Sequence, residues 1–590
     1  MVKGYKDYSK SLMLAQLELK QNLAFITDGL TFRGMLNTNR ESYFDVTRAY
    51  GPFFYSLTGF DRQSNTYSLE ALNPNSGTEY LGYQEGPKIV RANLYAEAAL
   101  NYNRTFSDKH GVSGLLVYNM RNFLEGNASS LLKSLPYRNM GISGRATYSF
   151  DDRYFAEFNF GYNGSERFHV DSRFGFFPSA GVAWSVSSER FWKRISEVVP
   201  KLKLRATYGL VGNDAIGSAE DRFFYLSTVD MNSIARGAVF GTNFNYRQNG
   251  VSVSRYDNRL ITWETATKTN LGLEFSLWNK VDVQADYFTE YRKNILMDRA
   301  SIPVTMGLSA PVRANVGEAS GKGIDFSIDL NHTFSNGLWL MGRGNFTYAT
   351  SSFEVLEEPE YNERNLSKRG FSLSQQWGYI AERLFIDAAD VANSPAQNFG
   401  IYEAGDIKYR DINGDGIISS LDRVPIGYPT DPEIIYGFGL SAGFRGVDFS
   451  AFLQGSAYSA FWINHNGSTS PFVGGNQVLK AYADSYWSED NRNIYAVLPR
   501  LSKTLNNNNN QLSTWFMRDG SFLRLKSVEL GYTFPDPLAK RIYLNNLRVY
   551  LSGTNLGSWS KFKLWDVEMG SEGLGYPIQQ VYNVGVQIGF

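Results

Sequence analysis

Apolar and polar residues alternate along most of this chain with a period of two. From Leu202 the sequence places Leu202, Leu204, Ala206, Tyr208 and Leu210 on one side and Lys203, Arg205, Thr207 and Gly209 on the other. That is the pattern of a strand with one apolar face, and a helix would repeat at 3.6 instead. Leu94 to Asn103, Tyr154 to Tyr162, Val281 to Tyr287, Ile324 to Asn331 and the terminal Tyr582 to Phe590 repeat it. About 17 such segments are predicted, many of about ten residues or more, against a mean of about 5–6 in ordinary globular sheets. A strand of about 9–11 residues crosses a tilted path through a bilayer. The predicted class is therefore all-β, a transmembrane antiparallel β-barrel.

The connections alternate in length. Short, turn-rich joints are expected at Phe106 to His110, Phe150-Asp151-Asp152, Trp278-Asn279-Lys280, Phe334 to Gly337 and Arg445-Gly446-Val447, as hairpins require. Between them lie long polar stretches at about 212–262, 351–432 and 461–520, the last holding the run Asn506 to Asn510. Short turns on one rim and long loops on the other is the layout of an outer-membrane barrel, with outer loops and periplasmic turns. Tyr and Phe near strand ends (Tyr102, Phe106, Tyr148, Phe150, Tyr287, Tyr348, Phe534) match interfacial girdles. A soluble sandwich or propeller is the competing reading, but a propeller would repeat about every 40 residues, and no such repeat is seen. Residues 1–590 are read as one barrel portion without an internal boundary. Single-chain barrels normally have even strand numbers, and the predicted strand at Ser11 to Gln21 already runs inward. The expectation is an N-terminally incomplete piece of a larger barrel, consistent with Met1 to Tyr8 having no apolar signal behind them.

Composition narrows this further. Of 590 residues, 58 are Lys or Arg and 58 are Asp or Glu, so nothing supplies the basic face that a nucleic-acid partner requires. The absence of Cys excludes disulfides and thiol chemistry. No apolar run approaches the roughly 18 residues of a membrane helix, in line with a mean hydropathy of -0.32.

The sharpest local motif runs from Asp411 to Asp422 and fits the template of a calcium loop. Asp411, Asn413 and Asp415 stand at positions 1, 3 and 5, Gly416 at the turn, Ile417 offers its carbonyl at 7, Ser419 stands at 9, and Asp422 closes the loop at 12. Asp is a methylene shorter than the usual Glu, so weak Ca²⁺ binding is expected, about 10⁻⁴ to 10⁻³ M. An Asx-rich turn without metal is the alternative. His110, His169, His332 and His465 share no ligand spacing. Asp282, Asp286, Asp325 and Asp329 fall at wet strand positions and would line a hydrated interior. The loop aromatics Trp377, Trp462, Tyr486 and Trp487 are weak substrate-binding candidates, able to stack on sugars or apolar side chains, with loop anchoring the rival role. No nucleophile with a partner is found, so no enzyme is predicted.

Several separated motifs stand in order: Thr262-Trp263-Glu264, Thr269 to Leu273, Asn315-Val316-Gly317-Glu318, Lys322-Gly323, Gly405 to Tyr409 leading to Asp422-Arg423, and Phe522-Leu523-Arg524-Leu525. Together they resemble the SusC/RagA family of TonB-dependent outer-membrane transporters. The resemblance implies a 22-strand barrel of the plugged kind, a TonB box coupled to an inner-membrane energising complex, and a SusD-like surface lipoprotein closing the outer mouth. It implies import of oligosaccharides or peptides, with oligosaccharides the expected substrate. The chain departs from the family in having no recognisable plug, TonB box or signal, and about five strands too few. Passive porin-like conduction and a barrel enzyme are the other readings carried from the sequence.

Overall fold

The computed structural model describes residues 4–217, 221–464, 473, 479–571, 573 and 575–590. Seventeen strands belong to one sheet, which agrees with the fold class expected from the alternation. They are β1 (Gly4–Asn22), β2 (Leu30–Ala49), β3 (Gly82–Phe106), β4 (His110–Glu125), β5 (Tyr137–Phe150), β6 (Tyr154–Ser165), β7 (Phe174–Ser185), β8 (Lys201–Asn213) and β9 (Glu264–Leu277). The chain continues with β10 (Val281–Asp298), β11 (Arg313–Thr333), β12 (Trp339–Val355), β13 (Ile434–Phe444), β14 (Val447–Ala457), β15 (Phe522–Thr533), β16 (Asn546–Ser560) and β17 (Val581–Gly589). Packing separates two compact units: Met1–Asp151 with Ala156–Ala180 and Gly212–Trp263, and Asp152–Phe155 with Gly181–Val211 and Glu264–Phe590.

In the first unit β1 to β5 pair antiparallel in chain order. In the second, β9 to β17 do the same. The register sorts the faces. Across β10 and β11, Val283 stands opposite Ile328, Ala285 opposite Phe326 and Tyr287 opposite Ile324, while Asp282 faces Asp329 and Asp286 faces Asp325. Much of these rows stays open: Ile324 is 48 % exposed, Tyr287 46 % and Leu271 52 %, while Val283 is covered by its neighbours. Such a face has no protein to cover it and requires hydrocarbon. The polar face is laced with ion pairs, among them Lys201–Glu274 at 2.9 Å, Arg205–Asp286 at 2.6 Å and Arg343–Asp329 at 2.6 Å.

Turn chemistry explains the short rim. Asp151 and Asp152 have φ of 53° and 52°, Trp278 and Asn279 have 51° and 54°, and Ser107 and Asp108 have 51° and 55°. Two consecutive left-handed residues make the turn whose twist matches a hairpin. Two joints on this rim break the expected rule of short turns. Residues 186–200 coil through the 3₁₀ turns Val186–Ser188 and Arg190–Arg194, and the helix Asp536–Arg541 joins β15 to β16. On the other rim, the strand ends leave connections at 214–263, 356–433 and 458–521. A further long connection, 50–81, carries its own hairpin of Tyr55–Asp61 against Thr66–Ala71. Its alternation is too short to have been told from a loop.

Candidate functional site

The long loops of the second unit build a compact core. Short segments pair first: Gln376–Gly378 with Val424–Ile426, Ala381–Leu384 with Ile407–Tyr409, Ala396–Gln397 in parallel with Ile417–Ile418, and Ala460–Trp462 with Met517–Asp519. Leu384, Ile407, Ile418, Ile463 and Phe516 are removed from solvent, and Tyr409, Tyr482 and Trp487 nearly so. Each such side chain stabilises by about 1.5–3 kcal/mol when fully buried. Phe461, Phe562 and Trp565 extend the core toward the last loop, with ring centroids 5.1 and 4.9 Å apart.

Polar bonds reach across this core over long sequence distances. The asparagine run, which reads as a featureless polar linker, is its staple. Asn508 and Asn509 are buried. The Gln397 amide donates to Asn508 Oδ1 at 2.6 Å, Asn508 Nδ2 to the Ile407 carbonyl at 2.9 Å, and the Tyr409 hydroxyl to the Asn508 carbonyl at 2.7 Å. The Ile407 N–H donates to Asn509 Oδ1 at 2.9 Å, while Asn509 Nδ2 donates to Asp406 Oδ1 at 2.8 Å. Asp406, fully buried, also takes Arg500 through Nε at 3.3 Å and Nη2 at 3.2 Å and the Glu403 N–H at 2.9 Å. Burial pushes the Tyr409 phenol far up and lowers the Arg518 guanidinium. The Arg383 guanidinium, aided by the Ile386 N–H and Lys408, holds the Asp390 carboxyl well below the carboxylate range against the opposing effect of burial.

The aromatics singled out from the sequence divide between this core and its surroundings. Trp377 is 6 % exposed and donates its indole N–H to the Asn365 carbonyl at 2.9 Å. Trp487 is 3 % exposed and lies against Gly405, where a Cβ would come within 2.3 Å of its ring. The Trp462 ring is 6.4 Å from that of Phe516, and Tyr486 is 38 % exposed. Trp487 and Trp462 thus belong to the loop core, Trp377 is buried against Phe371, and Tyr486 is the most open of the four. His465 and part of the 461–520 stretch, residues 465–472 and 474–478, lie outside the described residues.

The Asp411–Asp422 loop is closed by hydrogen bonds. Asp411 accepts the N–H groups of Gly414 at 2.7 Å and Gly416 at 2.8 Å, Asn413 accepts that of Asp415 at 3.1 Å, and Asp415 that of Ile417 at 2.8 Å. Asp422, fully buried, accepts from Ile412 at 2.8 Å and Ser419 at 2.7 Å and forms a capping box with Ser419. Both oxygens of the residue meant to close a metal site are therefore engaged by backbone. Among the described residues no group of three His, Asp or Glu side chains gathers to hold a metal ion.

The motif residues quoted above prove to be fastening points. Gly405 adopts φ +83°, which a side chain strains, beside the Trp487 ring, and Arg423 donates to the Trp377 carbonyl at 2.8 Å. Asn315 bonds the carbonyl of Asn294, itself at φ 58°, at 2.7 Å. Arg524, 3 % exposed, reaches Asp566 at 2.5 Å and pairs with Glu568. In the first unit Trp263 packs on Phe168 and Phe177, with centroids 5.4 and 5.2 Å away. Sequence reasoning missed Arg222 there. Its buried guanidinium donates to the carbonyls of Leu132, Leu135 and Pro136 and lies 3.7 Å from the Tyr137 ring centroid.

Long antiparallel strands with one exposed apolar face, short turns at one rim and a folded loop layer at the other define an outer-membrane β-barrel protein. No family model matches the chain. It is 30 % identical over 465 residues to the TonB-dependent receptor P26 of Formosa agariphila, covering 75 % of this chain and 44 % of that protein. It is 27 % identical over 467 residues to the TonB-dependent receptor SusC of Bacteroides thetaiotaomicron, covering 76 % and 43 %. The solved structure of the RagAB peptide transporter superposes with a TM-score of 0.72 at 19 % identity, covering 99 % of this chain and 62 % of that one. The chain spans about half the length of the curated relatives it matches. Its sequence and fold are those of a SusC/RagA-like TonB-dependent receptor barrel, located in the outer membrane.

Proposed function

We propose that this chain supplies wall and outer loops to an energised importer that carries oligomeric nutrients across the outer membrane without catalysis. The observation behind this is the loop layer. Loops stapled over more than a hundred residues, as Gln397 is to Asn508, keep a fixed shape over the rim, which a capture surface needs and a simple pore does not. The substrate class we favour is peptide. Fold neighbours that superpose with TM-scores of 0.71 and 0.72 are described as a peptide importer and a peptide transporter, and this supports peptide over the oligosaccharide expected from the sequence alone. A SusD-like lipoprotein and the TonB complex are the proposed partners. Uptake of fluorescent peptides and of labelled oligosaccharides by cells carrying the intact gene tests this. Peptide accumulation that stops on collapse of the proton gradient is expected. Sugar uptake alone would reverse the substrate assignment, and uptake insensitive to the gradient would favour the passive channel.

Calcium at Asp411–Asp422 is proposed only as a reinforcement of a turn that hydrogen bonds already close. Asp411, Asn413, Asp415, the Ile417 carbonyl and Asp422 would be its ligands, with Ser419 at the position that holds a water. Isothermal titration with Ca²⁺ should give saturable heat that Asp415→Ala abolishes, and identical traces would remove the ion.

A further inference from the structure

Two joints of the short rim are longer than a hairpin needs, and their surplus residues share one make-up. Between β7 and β8 the chain spends residues 186–200 where two would close the turn. Val186–Ser188 and Arg190–Arg194 wind as 3₁₀ turns. The Ser196 and Val199 N–H groups carry the winding on, donating to the Trp192 and Ile195 carbonyls at 3.1 and 2.8 Å. Phe191, Ile195 and Val198 therefore recur at i, i+4 and i+7 on one side, and they are 62 %, 44 % and 46 % exposed. Trp192 turns the other way and donates its indole N–H to the Val199 carbonyl at 2.8 Å. Arg190, Lys193 and Arg194 are exposed, and none has an ion pair among the described residues.

Glu189 fixes where this stripe lies. Its Oε1 accepts the Tyr154 hydroxyl at 2.6 Å and the Trp184 indole N–H at 3.2 Å, and those two rings stack with centroids 6.5 Å apart. Tyr154 and Trp184 stand in the apolar rows at the short-rim ends of β6 and β7, the level of an interfacial girdle. The joint is thus moored to the lipid-facing side of the wall, away from the polar side where Lys201 and Arg205 hold Glu274. The apolar surface of the wall continues into Phe191, Ile195 and Val198. Glu189 is also held by Arg153 at 3.4 Å, which leaves Glu197 as the only other acid of the joint against three open cations. The second long joint shows the same make-up independently. In and just after the helix Asp536–Arg541, Leu538, Ile542 and Tyr543 are exposed, and Lys540 and Arg541 are exposed without an ion pair among the described residues.

We propose that residues 186–200 form an interfacial foot for the anionic phospholipid surface of the periplasmic leaflet. Phe191, Ile195 and Val198 enter the acyl boundary, and Arg190, Lys193 and Arg194 take the lipid phosphates. An apolar stripe flanked by cations lies in the plane of a membrane interface, and guanidinium groups bind phosphate by paired N–H donors. The foot goes beyond the transport reading and holds for either substrate.

Because the chain has no Cys, a single bimane fluorophore can be placed on the full chain in lipid nanodiscs, at Phe191→Cys, Ile195→Cys, Val198→Cys or Lys193→Cys. The first three should be quenched by phospholipid brominated on its acyl chains and little by iodide, and Lys193→Cys should show the reverse. Iodide quenching of all four overturns the foot. Protection from both quenchers would assign the stripe to a protein partner and overturn the lipid. Brominated phosphatidylglycerol should quench Ile195→Cys at about fivefold lower mole fraction than brominated phosphatidylcholine, a preference lost on adding Arg190→Gln with Arg194→Gln. Equal quenching by the two lipids, or a preference that survives the double substitution, overturns the role of the cations. Should one labelled variant fail to fold, the other two apolar positions still decide.

Discussion

Replacing Asp406 by alanine removes the carboxylate on which two distant loops converge. Four groups lose a bond: Arg500 Nε and Nη2, the buried amide of Asn509, and the Glu403 N–H. Breaking a buried ion pair costs about 3–5 kcal/mol. Arg500, however, is 28 % exposed and keeps Glu403 at 2.7 Å, which brings this part to about 1–2 kcal/mol. The orphaned Asn509 donor adds about 1–3 kcal/mol. The sum, about 2–5 kcal/mol, falls on the loop layer and leaves the strand ladder untouched. Hydrogen exchange of the detergent-solubilised protein reads this directly. Amides of 379–409 and 482–516 should exchange faster by about 30-fold or more, while those of β10 and β11 keep their protection. Unchanged exchange in the loops would refute the staple, and equal acceleration in the strands would refute the independence of the loop layer from the wall.

Other outcomes follow from the same geometry. Gly405→Ala places a side chain at φ +83° and 2.3 Å from the Trp487 ring; a loss of about 1–3 kcal/mol and a shift in Trp fluorescence are expected, and an unshifted spectrum would contradict the contact. Arg524→Ala frees Asp566 and Glu568, so limited proteolysis should cut 561–580 first, with Arg524→Lys protecting only in part because the paired fork is lost. Acid acts through Asp390, whose carboxyl is depressed mainly by Arg383. A folded carboxyl held below its unfolded value adds stability that is whole above about pH 4 and fades as pH falls through the folded value. Loop exchange around 381–408 should therefore quicken as pH drops below about 4, and Arg383→Ala should flatten that dependence; a pH response unaltered by the substitution would exclude the pair as its source.

The strands, their exposed apolar faces and the two kinds of rim were readable from residue order because period-two alternation is a local consequence of the pleat. Leu202 to Leu210 needs no partner to announce its face. Turn chemistry is local too, as Asp151-Asp152 and Trp278-Asn279 attest with their left-handed pairs. The loops obey no such rule. Asn506 to Asn510 looks like filler, and only tertiary contact, Asn508 to Gln397 and Asn509 to Asp406, turns it into a buried staple. Trp377 and Trp487 could equally have faced solvent or core, since an isolated aromatic carries no period. Asp422 satisfied a ligand template by spacing, but spacing does not say which way a carboxylate turns, and here backbone N–H groups engage both oxygens. What neighbouring residues dictate, the order of residues alone determined; what residues a hundred positions apart must agree on, only the folded chain decided.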